Sequence, residues 1–411
     1  MLRWETVTPA GTFVGFGFGP IQAGLMLCEA LQSGSFDRFV VAEVDQALVD
    51  AVRRGGDTVT INIAGESGIR RMRIPGVRLL NPRVSAERKE IVAAIGSATE
   101  LATAIPSVEL YGAGGDASVA ALLAEGAAGG HGRVLYAAEN NNYAASRLMR
   151  EVAKRAAGRS PSGFQALDTV IGKMSGLITT AEEMGELGLV PLAPGLDKCV
   201  LVEEFNRILI SKITLPGFTR GIRVFEEKDD LIPFEEAKLY GHNAVHALLG
   251  YLAKVRGHRF MSSIRNDGEL LALGRRAFLQ ESGPALIRRH HGTGDALFTP
   301  AGYEAYAEDL LQRMTNPFLH DDVERIIRDP GRKLGWTDRF FGAMRAAREA
   351  GIQPTALALG AAAAVRAAGI PSETARESLL SLWGSEAAGE EREVCLSLVL
   401  DAMPRLDDWR A

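Results

Sequence analysis

Residues 12–31, TFVGFGFGPIQAGLMLCEAL, restrict the fold of this 411-residue chain more than any other stretch. An apolar run closes on glycines at 15, 17 and 19, and a helical pattern begins at once. That order predicts a buried strand, a tight turn and a helix. Gly17 and Gly19 let the chain turn sharply and bring backbone N–H groups up to a pyrophosphate at the helix start. Phe18, Pro20 and Ile21 complete the loop. Gln22 stands where the third glycine of G-x-G-x-x-G is expected, which leaves Gly24 to provide close helix–strand packing. The next apolar run, RFVVAEVDQALVDAV, passes through Glu43 into a second helical pattern. A carboxylate at the end of a second strand is placed to accept from ribose hydroxyls and to repel a 2′-phosphate, so it favours NAD over NADP.

The alternation continues. Residues 58–80 read as a hairpin around AGESG, inserted into the nucleotide-binding region. A helix near 85–95, a strand near 107–111, a helix near 116–125 and the strand RVLYAAEN follow. The expected fold class is α/β, a Rossmann-like, mostly parallel, doubly wound sheet that binds ligands off its strands' carboxyl ends. Glu139, Asn140, Asn141 and Asn142 sit at such an end. Asn140 is the functional candidate of the four; the competing reading is a polar turn that caps the helix YAASRLMREVAKRAAG. The strand-like KCVLVEE after PLAPG reads as the tail of the first domain. From about residue 226 the pattern is helical, over 233–256, 262–281, 300–315, 320–328, 337–350, 354–368 and 372–402. The expected domains are 1–225, dinucleotide-binding, and 226–411, helical and substrate-binding.

Composition narrows the partners. A net charge of −5 argues against a sequence-independent grip on nucleic acid. Three cysteines far apart in sequence suit a reducing cytosol better than a disulfide framework. The N-terminal segment has no signal-peptide pattern, and TALALGAAAAVRAAGI is broken by Arg366 and too short to span a membrane. A soluble cytoplasmic protein is expected, monomeric or homodimeric, acting on a small molecule, with neither nucleic acid nor membrane as partner.

The stretch EEAKLYGHNAVHALLGYLA carries Lys238, Asn243 and His246 among apolar residues at helical spacing. At about 100° per residue, Asn243 lies about 140° from Lys238 and His246 about 80° from it, so all three can line one wall of a cleft. Oxidation of an alcohol needs a base for the hydroxyl proton and donors for the developing alkoxide. A lysine can be that base if burial lowers its pKa. An asparagine amide can donate to the oxygen, and a histidine can orient either group. The alternative is a snorkelling lysine, a capping asparagine and a satisfied core histidine.

KLYGHNAVH, Lys-x4-Asn-x2-His, resembles the signature of the polyol-specific long-chain dehydrogenase/reductase family. FGFGPIQAGL is similar to that family's glycine loop, and AEVDQALVDAV to its acidic strand end. AEN at 138–140, QESGPALIRR at 280–289 and NPFLHDDVERIIRDPGRKL at 316–334 are similar to further segments, so the likeness runs along most of the chain. Its short members, the mannitol-1-phosphate 5-dehydrogenases, look most similar. The resemblance implies a metal-independent, NAD-linked interconversion of a sugar alcohol and a ketose, with a phosphate on the substrate. It implies Lys238 as general base, Asn243 and Asn140 as oxyanion donors, and His246 as the partner that positions them. Arg328, Arg332 and Lys333 would face substrate, their cationic heads suiting phosphate or carboxylate; the competing reading is a solvated charge cluster after a helix. VIGKMSG at 170–176 departs from the family's Val-Asp-Arg-Ile, with Gly172 in place of the aspartate and Lys173 in place of the arginine. That change bears on which substrate is held.

Three other readings compete with this one. His242 and His246 have the spacing of a helical zinc pair, and His290–His291 form another cluster, but no H-E-x-x-H is present and zinc would occupy His246. A hydroxyacid or hexuronate dehydrogenase is a second enzyme reading, although β-hydroxyacid dehydrogenases space the pair as Lys-x3-Asn. An NAD-binding sensor or assembly protein without turnover is the third, kept open by Gly172 and opposed by the intact Lys238, Asn243 and His246.

Overall fold

The computed structural model describes residues 11–158, 161–386 and 389–410. Residues 1–10, part of the segment read for a targeting signal, lie outside the described residues, as do 387–388 within the expected helix 372–402. The chain divides into two compact units, Met1–Leu231 and Ile232–Ala411.

The first unit holds twelve strands among its described residues. They are β1 Gly11–Phe16, β2 Phe36–Ala42, β3 Val59–Ala64, β4 Ile69–Ile74, β5 Val77–Leu80 and β6 Ala98–Thr103, then β7 Arg133–Ala137, β8 Phe164–Val170, β9 Ser175–Ile178, β10 Cys199–Glu203, β11 Leu209–Ser211 and β12 Glu226–Lys228. The main sheet runs β12-β11-β8-β7-β6-β1-β2-β5. Its pairings from β5 through β8 are all parallel, which is the doubly wound dinucleotide-binding order. β1 buries Phe13 in the core on one face and Val14 in the core on the other. Burial on both faces is why its sequence reads as a continuous apolar run rather than an alternating one.

The expected hairpin is β3–β4, but it is not isolated. β3 pairs parallel with β10, and β10 antiparallel with β9, in a second sheet of four strands. KCVLVEE is therefore an interior strand of that sheet. The strand expected near 107–111 is instead a short 3-10 turn, Val108–Leu110, and the sheet strand is β6. Its sequence, ATELAT, lacks the apolar run expected of a buried strand because Glu100 sits in its middle. That carboxylate is buried and accepts from the Tyr136 hydroxyl at 2.6 Å and from the backbone N–H groups of Gly221 and Ile222. Burial pushes its pKa up, against the pull of these donors.

The missing third glycine has a compensation inside the strand. Gln22 is fully buried over β1, and a Cβ on Gly15 would come 2.5 Å from its Nε2. Gly24 meets not β1 but β10: a Cβ there would lie 2.4 Å from Val202 Cγ1. The helix start Gln22–Leu27 adopts a π turn before continuing as Cys28–Ser33.

The second unit is helical. Ile232–Glu236, a π segment Ala237–Asn243 and Ala244–Val255 run on as one element, as the sequence led us to expect for 233–256. The expected 262–281 helix breaks into a 3-10 turn Met261–Asn266, Gly268–Arg276 and a second π segment Ala277–Ser282. Ala244–Val255 packs against the alanine-rich Thr355–Ala367, where a Cβ on Gly360 would meet Leu248 at 2.9 Å. Among the described residues no single helix is long and apolar enough to cross a membrane.

Gly24→Ala is expected to destabilise the first unit by about 1–3 kcal/mol, the usual cost of overpacking a stiff contact. Thermal melting followed by circular dichroism checks this; an unchanged transition would mean the helix can draw back from Val202.

Candidate functional site

In the first unit, Gly17, Phe18, Gly19, Pro20, Ile21, Glu43 and Asn140 all line one cavity of about 670 Å³. Gly17 has φ +78, and a Cβ on it would approach the Ala104 carbonyl oxygen to 2.8 Å. Only glycine suits both conditions. A Cβ on Gly19 would meet nothing within 4 Å, so the loop leaves open space beside its backbone. Glu43 ties loop to strand end: its Oε2 accepts from Phe18 N and its Oε1 from Asp45 N, each at 2.8 Å. Each carboxylate oxygen keeps a second lone pair for a ligand hydroxyl.

At the carboxyl end of β7 the polar run separates into different duties. Glu139 is buried and accepts from Thr103 Oγ1 at 2.8 Å, Ile105 N at 2.9 Å and the Tyr111 hydroxyl. Burial raises its pKa, and these donors oppose the rise. It locks the ends of two strands together beneath Asn140, which is exposed at the cavity. Asn141 accepts from Tyr143 N at 3.0 Å, the turn-forming role weighed for this run. Asp168, for which the sequence carried no signal, accepts from Ala145 N at 2.8 Å and so fixes the following helix. Lys173 is buried and donates to the carbonyl oxygens of Glu203 at 2.5 Å and Phe205 at 2.7 Å. The residue standing at the family's arginine position thus holds the end of β10.

In the second unit, Asn243, His246, Arg328, Arg332 and Lys333 line a cavity of about 530 Å³. Arg325 and Arg339 join them, so five cations and one carboxylate, Asp329, are among its described lining residues. Asp329 has φ +55, a left-handed conformation that aspartate tolerates better than most residues. This bend, between Val323–Ile327 and Pro330–Lys333, turns Arg328 and the Arg332–Lys333 pair onto one space. Lys333 is buried, and burial, with Arg339 and Arg332 close by, lowers its pKa to about 8. Arg325 was legible in principle, since 325, 328 and 332 repeat at helical spacing. Arg339, beyond a turn, carried no such signal.

Lys238 is not among the residues lining this cavity; it lies at the start of the π segment that ends in Asn243. There the backbone bonds run i→i+5, which brings residues five apart onto one face. The α-helical angle expected from sequence therefore does not apply, and the wider turn sets Asn243 nearer the Lys238 face than that angle would. Burial lowers the Lys238 pKa to about 8, Glu235 opposes that shift and Arg339 adds to it. His242 is buried, its ring 5.9 Å from that of His246, and burial holds its pKa well below the ordinary range. His246 Nε2 lies 3.3 Å from Asp321 Oδ2. Among the described residues no three His, Cys, Asp or Glu side chains gather as a metal-holding group. His290 instead meets Glu236 at 2.8 Å.

Residues 230–377 match the family model of the mannitol dehydrogenase C-terminal domain. The resemblance seen in KLYGHNAVH and the 316–334 segment is thereby borne out. Across both units the fold is similar to that of a D-sorbitol dehydrogenase in substrate-free form, with 14% identity and TM-score 0.76 over 97% of this chain and 93% of that one. It is also similar to Pseudomonas fluorescens mannitol 2-dehydrogenase in a ternary complex with NAD and D-mannitol, with 15% identity and TM-score 0.71 over 97% and 92%.

Because the folded Lys238 pKa, about 8, lies below the ordinary 10.5, the unfolded chain binds the extra proton between those values, and stability rises with pH across that window. Reductive ¹³C-methylation and NMR titration are expected to show two signals near 8, one lost in Lys238→Met and the other in Lys333→Met. A Lys238 midpoint near 10.5 would mean its ammonium stays hydrated.

Proposed function

We propose that this chain is an NAD-linked oxidoreductase that interconverts a sugar alcohol and the corresponding ketose without a metal ion, and that its substrate carries a phosphate or carboxylate. The observation that carries this reading is the second unit's cavity, where Asn243 and His246 meet five cations next to the turn that holds a lysine of lowered pKa. The domain-family match supports the reaction class. The mannitol 2-dehydrogenase complex, which holds NAD and D-mannitol, supports the cofactor and the polyol.

The first unit's cavity suits a dinucleotide on its own features: a glycine loop with open space at Gly19, and Glu43 where a ribose would be gripped. Held there, NAD would supply the hydride acceptor for the carbinol carbon. Lys238, as its neutral amine, takes the hydroxyl proton. With a pKa of about 8 it is close to the pH at which a base is most effective. The Asn243 amide donates to the oxygen as negative charge grows, and Asn140 is the second donor in this proposal. Arg328, Arg332 and Lys333 hold the anionic group; guanidinium forks fit phosphate or carboxylate through paired N–H donors. Glu43 sets the preference for NAD, since the 2′-phosphate of NADP would face its charge.

Purified protein is to be assayed for NADH oxidation with ketoses, ketose phosphates and hexuronates, and each again with NADPH and with EDTA. Turnover is expected for an anionic ketose with NADH, undiminished by EDTA. A rate confined to uncharged sugars would remove the anionic group from the reading, and silence throughout with NADH still bound would favour the sensor. Lys238→Ala should cost about 100- to 10,000-fold in kcat while NADH affinity is kept. Polyol oxidation should fall as pH drops below about 8, because the base is then protonated.

A further inference from the structure

The sequence DD at 321–322 places two aspartates side by side, and the fold uses them differently. Asp322 accepts from Glu324 N at 2.7 Å and starts the helix Val323–Ile327. Asp321 points the other way and is almost completely buried, its side chain 1% exposed. Two backbone hydrogen bonds, which together make Phe260 and Asp322 a bridge pair, fasten this segment to a distant stretch of the same unit. Met261 N donates to Asp321 O at 2.9 Å, Val323 N donates to Arg259 O at 2.9 Å, and Phe260 bridges Asp322. On the side chain, Oδ1 accepts from Arg325 Nε at 3.0 Å and Nη2 at 2.5 Å. Only Oδ2 is left over, and it faces His246 Nε2 at 3.3 Å. Neither of those two atoms meets hydrogen-bond geometry with any group among the described residues, each other included, so their 3.3 Å approach is an ion-pair contact. Two buried polar atoms without other partners, one a carboxylate oxygen and one a ring nitrogen, lose least when each satisfies the other.

We propose that Asp321 is a positioning residue: it holds His246 in the tautomer protonated at Nε2, so that the remaining ring nitrogen, Nδ1, is an acceptor for a substrate hydroxyl. A carboxylate accepts and never donates when ionised, so it selects the N–H form of the nitrogen it faces. Burial would raise the Asp321 pKa, but His246 and Arg325 outweigh it and hold the carboxyl below its ordinary range, so it is ionised at neutral pH. His246 lines the cation-rich cavity, so its fixed lone pair adds one acceptor to a wall otherwise made mostly of donors. A polyol offers both, an anionic group for the cations and hydroxyl protons for the imidazole. The tautomer does not depend on the oxidoreductase reading, but its consequence for turnover rests on it.

Two measurements test this. In ¹⁵N-histidine-labelled full-length protein at neutral pH, the His246 signal, identified by its loss in His246→Gln, is expected to show the Nε2–H tautomer. In Asp321→Asn it should move toward Nδ1–H, because an amide can donate to Nε2 instead. An Nδ1–H tautomer in the parent protein would overturn the proposal, and that arm needs no variant of Asp321 to fold. On a substrate identified by the NADH-oxidation assay, Asp321→Asn is expected to lower kcat/KM about tenfold or more in the parent and to add little in a His246→Ala background. Losses that multiply would show that Asp321 acts independently of His246. Failure to find any substrate would count against the enzyme reading and leave the NMR result to decide this one.

Discussion

The wide turn at Ala237–Asn243 is the constraint on which the second unit's chemistry depends. A π segment stretches the regular hydrogen-bond ladder and persists only where packing supports it. Here the support comes from glycines that let large rings close on it. A Cβ on Gly241 would lie 2.7 Å from the Tyr303 hydroxyl, and one on Gly342 would lie 2.4 Å from the Tyr240 ring. Tyr306 donates to the Ala237 carbonyl oxygen at 3.4 Å, at the start of the turn. Remove that support and an α-helical register would carry Asn243 away from Lys238 while leaving every residue of the signature in place.

Charge is managed by the same packing. Lys238 and Lys333 both have pKa values drawn down to about 8, first by burial and then by Arg339, which Arg332 joins at Lys333. Their surroundings set them apart. Lys238 has the carboxylate of Glu235 near it and stands at the start of the wide turn, whereas Lys333 lines a cavity of like charges that an anion would relieve. A base and an anion-holding lysine can thus share a chemical type and a lowered pKa yet serve different ends. Asp321, buried and ionised, is the counterweight behind His246.

Much of this was legible from residues alone. The glycine loop, the second strand ending in Glu43 and the helical second half were readable because turn geometry and hydrophobic period are local properties. Strand β6 was not, since Glu100 interrupts its apolar pattern and is satisfied only by Tyr136 and a loop far along the chain. The two-sheet organisation escaped for the same reason: β3 and β10 are distant in sequence, and only their pairing reveals a second sheet. Lys173 stands in place of the family's arginine, and only the fold shows that its ammonium donates to two backbone carbonyls.

The amino-acid sequence by itself determined the class of fold, the glycine loop with its acidic partner, and the residue types that gather in KLYGHNAVH and NPFLHDDVERIIRDPGRKL. Each of these follows from backbone freedom, helical period or side-chain chemistry within a short window. Tertiary structure alone decided the register of the wide turn, the bend at Asp329 that turns Arg328, Arg332 and Lys333 onto one cavity, and the meeting of Asp321 with His246. These depend on how tyrosines, glycines and a distant backbone segment pack against one another. No local pattern encodes them, because the groups that satisfy one another are neighbours only after the chain has folded.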